Sequence, residues 1–116
     1  MYSAGMSDAG FVDYIVSDVL RFVPKLTTRA MFGGYGVYSR GVIIACVMND
    51  EFYLKVGDSN RPDFERAGSH PFVYEKKSGG TSVMSYWLVP EEVMNDADVA
   101  AEWAEKAYRV SLAVKK

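Results

Sequence analysis

A chain of 116 residues, 49% hydrophobic and 14% aromatic, has the length of one domain and can bury roughly two-thirds of its unfolded surface, which excludes a disordered chain. Its 13 basic and 15 acidic residues leave a net charge of −2, not the strongly basic footprint of an isolated DNA-binding domain. One cysteine excludes an internal disulfide framework and a cysteine-rich zinc site, and no apolar run reaches the length of a membrane span.

The N-terminus has no basic segment leading into a long apolar one, so the expectation is a cytoplasmic protein without a signal peptide. Residues 1–6 read as a loose tail, with Met6 a natural start as well as Met1, on a single domain over 1–116. Ser7 can cap a helix from Asp8 to Val23. Its apolar positions Phe11, Val12, Ile15, Val16, Val19, Leu20 and Val23 form one wide stripe at helical spacing. Pro24 stops it, because the residue before a proline is pushed out of the α region.

Lys25 to Thr28 read as a connection, and Arg29 to Tyr38 as a first strand with three glycines in it. Glycine weakens a strand interior and is used there for a bulge, a positive φ or a close approach. Met31-Phe32-Gly33-Gly34-Tyr35-Gly36-Val37-Tyr38 does not fit a phosphate-cradling loop. Such a loop needs a helix N-terminus after the glycines, whereas Val37-Tyr38 continue as strand. A bulged or strongly twisted strand is the expectation.

Ser39-Arg40-Gly41 reads as a hairpin turn. Val42 to Met48 is an apolar strand, Asn49-Asp50-Glu51 a turn, and Phe52 to Val56 a third strand. Ser59 or Asn60 can cap a short helix with Pro62 in its first turn and Gly68 past its end, Phe64 and Ala67 facing inward. Residues 69–75 read as extended, residues 76–81 as a hairpin-type loop, and Val83 to Val89 as the last strand, ended by Pro90. Asn95 or Asp96 caps a final helix over Ala97 to Val114, with Val99, Trp103, Ala107, Val110 and Val114 in one stripe, Ala100 and Ala104 beside it, and Glu102–Lys106 as an i,i+4 pair. The order is α-β(3)-α-β(2)-α: an α+β fold with helices on an antiparallel sheet.

No catalytic or metal-binding constellation stands out, and no cofactor is implied. His70 is the only histidine and has no partner at a suggestive spacing. Cys46 lies in an apolar run and reads as a buried thiol. Asp96 and Asp98 are explained by helix capping. Arg21, Lys25, Arg29 and Arg40 cluster near the first helix-to-strand junction, with Lys76 and Lys77 on the late loop; such groups can contact phosphates. Acidic residues gather instead at Glu91, Glu92, Asp96, Asp98, Glu102 and Glu105. Aromatics, among them Tyr35, Tyr38, Tyr53, Phe72, Tyr74, Tyr86 and Trp87, fall on or beside strands, so those turned away from the helices would form an aromatic binding face.

Arg29-Ala30-Met31-Phe32-Gly33-Gly34-Tyr35-Gly36-Val37-Tyr38 resembles the signature of the TfoX/Sxy N-terminal domain family. The resemblance continues at Phe52-Tyr53-Leu54-Lys55-Val56, Pro71-Phe72-Val73-Tyr74, Met84-Ser85-Tyr86-Trp87-Leu88-Val89-Pro90 and Trp103-Ala104. It implies an α-β(3)-α-β(2)-α fold, and it carries over no catalytic residue. Named members regulate natural competence and are thought to act with the cyclic-AMP receptor protein, which the resemblance implies as a partner. Those regulators have a second, C-terminal domain. This sequence ends at Lys116 without one, so a stand-alone domain is the expectation.

Three functional readings follow. The first is a non-enzymatic interaction module, a regulator of competence or transcription through protein contacts, using Arg29, Phe32, Gly33, Gly34, Tyr35, Gly36, Tyr38, Tyr74, Tyr86 and Trp87. The second is direct nucleic-acid binding through Arg21, Lys25, Arg29, Arg40, Lys76 and Lys77. The third is a small-molecule site beside Gly33–Gly36. Self-association into a homodimer through an edge strand is left open.

Overall fold

The computed structural model describes residues 8–31 and 34–115, without the side chains at 8, 9, 74, 75 and 115. The Ser7 cap, the tail at 1–6, Phe32, Gly33 and the side chain of Tyr74 lie outside the described residues.

Helix α1, Asp8–Tyr14, widens into a π-turn over Ile15–Val19. There the Leu20 N–H donates to the Ile15 carbonyl at 2.8 Å, a five-residue step that lets the adjacent Val19 and Leu20 both turn inward. The expected stripe is present, with Phe11, Val12 and Ile15 also buried, but the helix stops before Val23.

Strand β1 is Leu26–Met31 and β2 is Gly34–Ser39, paired antiparallel with Met31 opposite Gly34. The single strand expected over 29–38 is therefore two, and Leu26–Thr28 belong to the sheet. Strands β3, Val42–Met48, and β4, Glu51–Lys55, follow through two-residue turns. In these, Arg40 and Gly41 have φ of 53° and 79°, and Asn49 and Asp50 have 51° and 61°: the left-handed pairs that match the twist of a tight hairpin.

Helix α2, Arg61–Arg66, leads to β5, Pro71–Glu75, and β6, Thr81–Leu88. Asn60 precedes α2 without capping it by its side chain. It is buried, accepts the Gly57 N–H at 2.8 Å and donates to the Lys55 carbonyl at 3.0 Å, which closes the loop after β4. Phe64 is buried as expected, whereas Ala67 is exposed. Residues 91–94, which read in sequence as a turn after Pro90, form helix α3, Glu91–Met94. Helix α4, Ala97–Lys115, starts where Asp96 Oδ1 accepts the N–H groups of Asp98 and Val99. Lys106 pairs with Asp63 of α2 at 2.7 Å.

Among the described residues the sheet has six strands in the order β1-β2-β3-β4-β6-β5, all antiparallel. The fold is α+β, as expected, with one more strand in the meander. Helices α1 and α4 pack on the same face. The core there joins Phe11, Ile15 and Leu20 of α1 to Val37, Ala45, Val47, Phe52 and Leu54 of the sheet and to Ala100, Ala104 and Ala107 of α4. Val110 continues the α4 stripe, but Val114 is 69% exposed because the helix overruns the sheet.

The three alanines leave no room for a larger side chain. Ala107→Leu is expected to cost about 1–3 kcal/mol by overpacking. Urea unfolding checks this: the midpoint should fall with the slope unchanged.

Candidate interaction face

The register of the ladder decides which side chains face away from the helices. Successive pairings place Arg29, Gly36, Cys46, Tyr53 and Leu88 in one row across five strands. Side chains alternate along a strand, so Tyr38, Ile43, Lys55 and Tyr86 share this face. Between Val37 and Tyr38 the β2–β3 register slips by one, leaving Ile44 as an extra residue, and the bulge turns both Ile44 and Ala45 to the core. Ser111 of α4 donates to the Ile43 carbonyl at 2.6 Å beside the bulge.

No helix covers this second face among the described residues, yet much of it is shielded by its own side chains. The Arg29 guanidinium lies 5.5 Å from the Tyr38 ring centre, and the Lys55 ammonium 5.1 Å from that of Tyr86. Lys55 also donates to Ser85 Oγ at 2.8 Å. Phe72 meets the Tyr53 ring edge-on at 5.2 Å. The Tyr53 hydroxyl donates to Glu51 Oε1 at 2.8 Å; burial first, and that carboxylate second, push its pKa up. Met84, further along β6 toward the β5–β6 hairpin, is exposed.

The glycines are explained by space. A Cβ on Gly34 would stand 2.1 Å from the Val47 carbonyl oxygen, so only glycine lets β2 and β3 approach there. A Cβ on Gly36 would meet Met31 Sδ at 2.9 Å, with Tyr38 and Ile43 next nearest. Met31 thus fills the space over Gly36 that a small ligand would need. A cleft of about 310 Å³ opens further along, between Tyr38, Ile43, Lys55 and the end of α4 at Ser111 and Val114.

Of the residues expected to form the interaction surface, the structure brings Arg29, Gly36, Tyr38 and Tyr86 to the uncovered face. Tyr35 and Trp87 alternate to the other side and pack against the core, Trp87 beside Phe64 at 6.2 Å. Sequence reasoning did not assign Met31, Ile43, Lys55 or Leu88 to the face; only the register shows them there.

The six cations of the nucleic-acid reading do not share one surface. Lys25 and Arg40 are neighbours, the Arg40 N–H donating to the Lys25 carbonyl at 3.1 Å. Arg40 is already engaged: it pairs with Glu105 at 2.8 Å, donates to Ser39 Oγ at 3.1 Å and stacks 3.6 Å from the Tyr108 ring centre. That hydrogen bond holds the Glu105 carboxyl below its ordinary pKa. Arg21 is exposed, donates to the Asp18 carbonyl and lies over Phe22. Lys76 and Lys77 follow β5 at the far edge of the sheet, about 20–25 Å from β1 at the usual strand spacing. Between α1, α3 and the β3–β4 turn, a cleft of about 690 Å³ carries Asp50, Glu51 and Glu91 on its wall, which repels phosphate.

His70 is exposed and precedes β5, where its carbonyl accepts the Leu88 N–H at 3.0 Å. Among the described residues no group of three His, Cys, Asp or Glu side chains is placed to hold a metal ion, and no helix is long and apolar enough to cross a membrane.

Cys46 is buried on the uncovered face, and burial pushes its thiol from 9.0 up to about 12. Tyr86 rises from 10.0 to about 12, again mainly by burial. Both groups are neutral when protonated, so the fold holds these protons more tightly than the unfolded chain. Their contribution to stability is fully present below pH 9.0 and is lost as pH climbs toward about 12. The urea midpoint should therefore decline in alkali, and less steeply in Cys46→Ala. A flat midpoint, or equal slopes in the two proteins, would contradict this.

Comparison with curated proteins gives no match. The family model described as the TfoX N-terminal domain matches residues 18–111, which runs from the π-turn of α1, through the whole sheet, to Ser111 on α4. The chain belongs to the TfoX N-terminal domain family.

Proposed function

We propose that this chain is a non-enzymatic regulatory module that works by gripping a protein partner with the uncovered sheet face. One observation carries the reading: a row of cationic, aromatic and apolar side chains, with Arg29–Tyr38 toward the β1 edge and Lys55–Tyr86 on β4 and β6, lies on the side opposite both long helices. Such a face suits a partner surface that mixes apolar groups with acids, since aromatics and arginine supply anchoring area while the cations fix orientation. Membership of the family supports a regulatory, competence-related role. Competence promoters and the cyclic-AMP receptor protein are the setting and the partner that the resemblance implies.

The test is fluorescence anisotropy of a labelled competence-promoter duplex, titrated with this protein alone and with the cyclic-AMP receptor protein present, at two salt concentrations. The expected result is a rise in anisotropy that needs the receptor protein and is weakened about tenfold or more by the double variant Arg29→Ala/Tyr86→Ala, the loss of two anchoring side chains. Steeply salt-dependent binding by the chain alone would replace this reading with phosphate contact through Arg21, Lys25, Lys76 and Lys77. Turnover of a substrate that depends on Cys46 or His70 would overturn the non-enzymatic reading.

A further inference from the structure

We propose that two copies of this chain join edge to edge through β1, in an antiparallel pairing centred on Thr28, making one continuous sheet across the dimer. The strand order leaves β1 and β5 as the two edges. An exposed edge is a template for pairing, and folded monomers commonly blunt it with proline, charge or a bulge. Edge β5 is blunted in all three ways. It opens on Pro71, which has no N–H to offer, its register slips between Pro71 and Val73, and Lys76 and Lys77 follow it.

Edge β1 is less guarded: Pro24 and Lys25 lie just before it, but the strand itself has no proline and no register slip. Its six residues pair with β2 in unbroken register, and the four between Leu26 and Met31 are exposed. It contains neither proline nor lysine, and Thr27 and Thr28 are β-branched. Its one charge, Arg29, is drawn over the Tyr38 ring of its own chain.

The phase of the ladder makes this edge self-complementary. The Lys25 carbonyl accepts the Arg40 N–H, so Lys25–Arg40 is a hydrogen-bonded pair. Such pairs alternate along an antiparallel ladder. Hence Thr27, Arg29 and Met31 direct their backbone groups to β2, and Leu26, Thr28 and Ala30 direct theirs outward. With a two-fold axis at Thr28, that residue meets its own copy, Leu26 meets the partner's Ala30, and Ala30 meets the partner's Leu26. Each of these pairs exchanges two bonds, about six in all. Thr28 against Thr28 is a favourable cross-strand pair, and Arg29 falls opposite the partner's Thr27 instead of a like charge. Arg29 belongs both to β1 and to the uncovered face, but the pairing uses the outward backbone groups of Leu26, Thr28 and Ala30, whose side chains alternate to the other face, so it is tested separately from the proposed function.

Sedimentation velocity of the full chain, from low to high micromolar concentration, tests the proposal together with amide hydrogen exchange by NMR. Twice the chain mass is expected at high concentration. Exchange at Leu26, Thr28 and Ala30 should slow about tenfold or more as the dimer forms, while Thr27 and Arg29, already bonded to β2, change little. Thr28→Pro removes an outward N–H that β2 does not use, so it should stay folded and monomeric throughout. Should circular dichroism show that variant unfolded, Thr28→Lys, which sets two lysines face to face on the axis, is read in its place. A wild-type chain that is monomeric at every concentration overturns the proposal. So does a dimer whose Leu26, Thr28 and Ala30 amides exchange freely, or one that persists in the folded variant.

Discussion

The close seating of α4 on β3 and β4 is the contact on which the rest of the molecule depends. Ala100, Ala104 and Ala107 recur on one side of the helix and are almost fully buried, so the helix backbone itself, not a fringe of long side chains, meets the sheet. Ser111 adds its hydrogen bond to the Ile43 carbonyl one turn further on. Gly57 makes the same allowance from the other side: a Cβ there would stand 2.9 Å from Val110. With α4 pressed down and α1 beside it, one face is filled to native density. The other face, which carries Arg29, Tyr38, Lys55 and Tyr86, receives no helix among the described residues. The candidate surface is a by-product of packing both long helices on the same side.

The helices were legible because their burial is one-sided and periodic. Phe11, Ile15 and Val19, and later Ala100, Ala104 and Ala107, repeat at helical spacing, and Asp96 caps its helix as its side chain predicts. The Arg40-Gly41 turn was legible for a similar local reason. Strand β1 was not. Leu26-Thr27-Thr28-Arg29 is an edge exposed on both sides, so it carries no apolar alternation for a reader to find. The glycines then drew attention to a bulge within one strand, when Gly34 marks the start of a second strand whose backbone runs hard against Val47. Ala67 and Val114 fit the helical pattern but overhang the body of the domain, which periodicity alone does not report.

The candidate surface was half legible. That some aromatics must point away from the helices follows from the class of fold, and Tyr38 and Tyr86 do. Which ones do depends on register, and the extra residue at Ile44 shifts the phase of β3 in a way no composition reveals. Tyr35, paired with Val47, and Trp87, paired with Leu54, went to the core by ordinary alternation, and Lys55, a residue with no motif of its own, came to the uncovered face. The cations tell a related story. Arg40 sits near Lys25 in sequence and space, but Glu105 and Tyr108, 65 and more residues away, occupy its guanidinium. That engagement also steadies a non-glycine residue at a φ of 53°.

The place of β6 between β4 and β5 bears on the making of the protein. The first four strands are consecutive in the chain and can zip together locally, but β4 gains its second neighbour only when Tyr86, Trp87 and Leu88 arrive, some 30 residues later. During synthesis, Phe52, Tyr53 and Leu54 would stand for seconds as a bare apolar margin, at ribosomal rates of about 5–20 residues per second. The nascent chain is most prone to clumping in that interval. The insertion of β6, which carries β5 with it as a hairpin, ends that exposure and closes the domain.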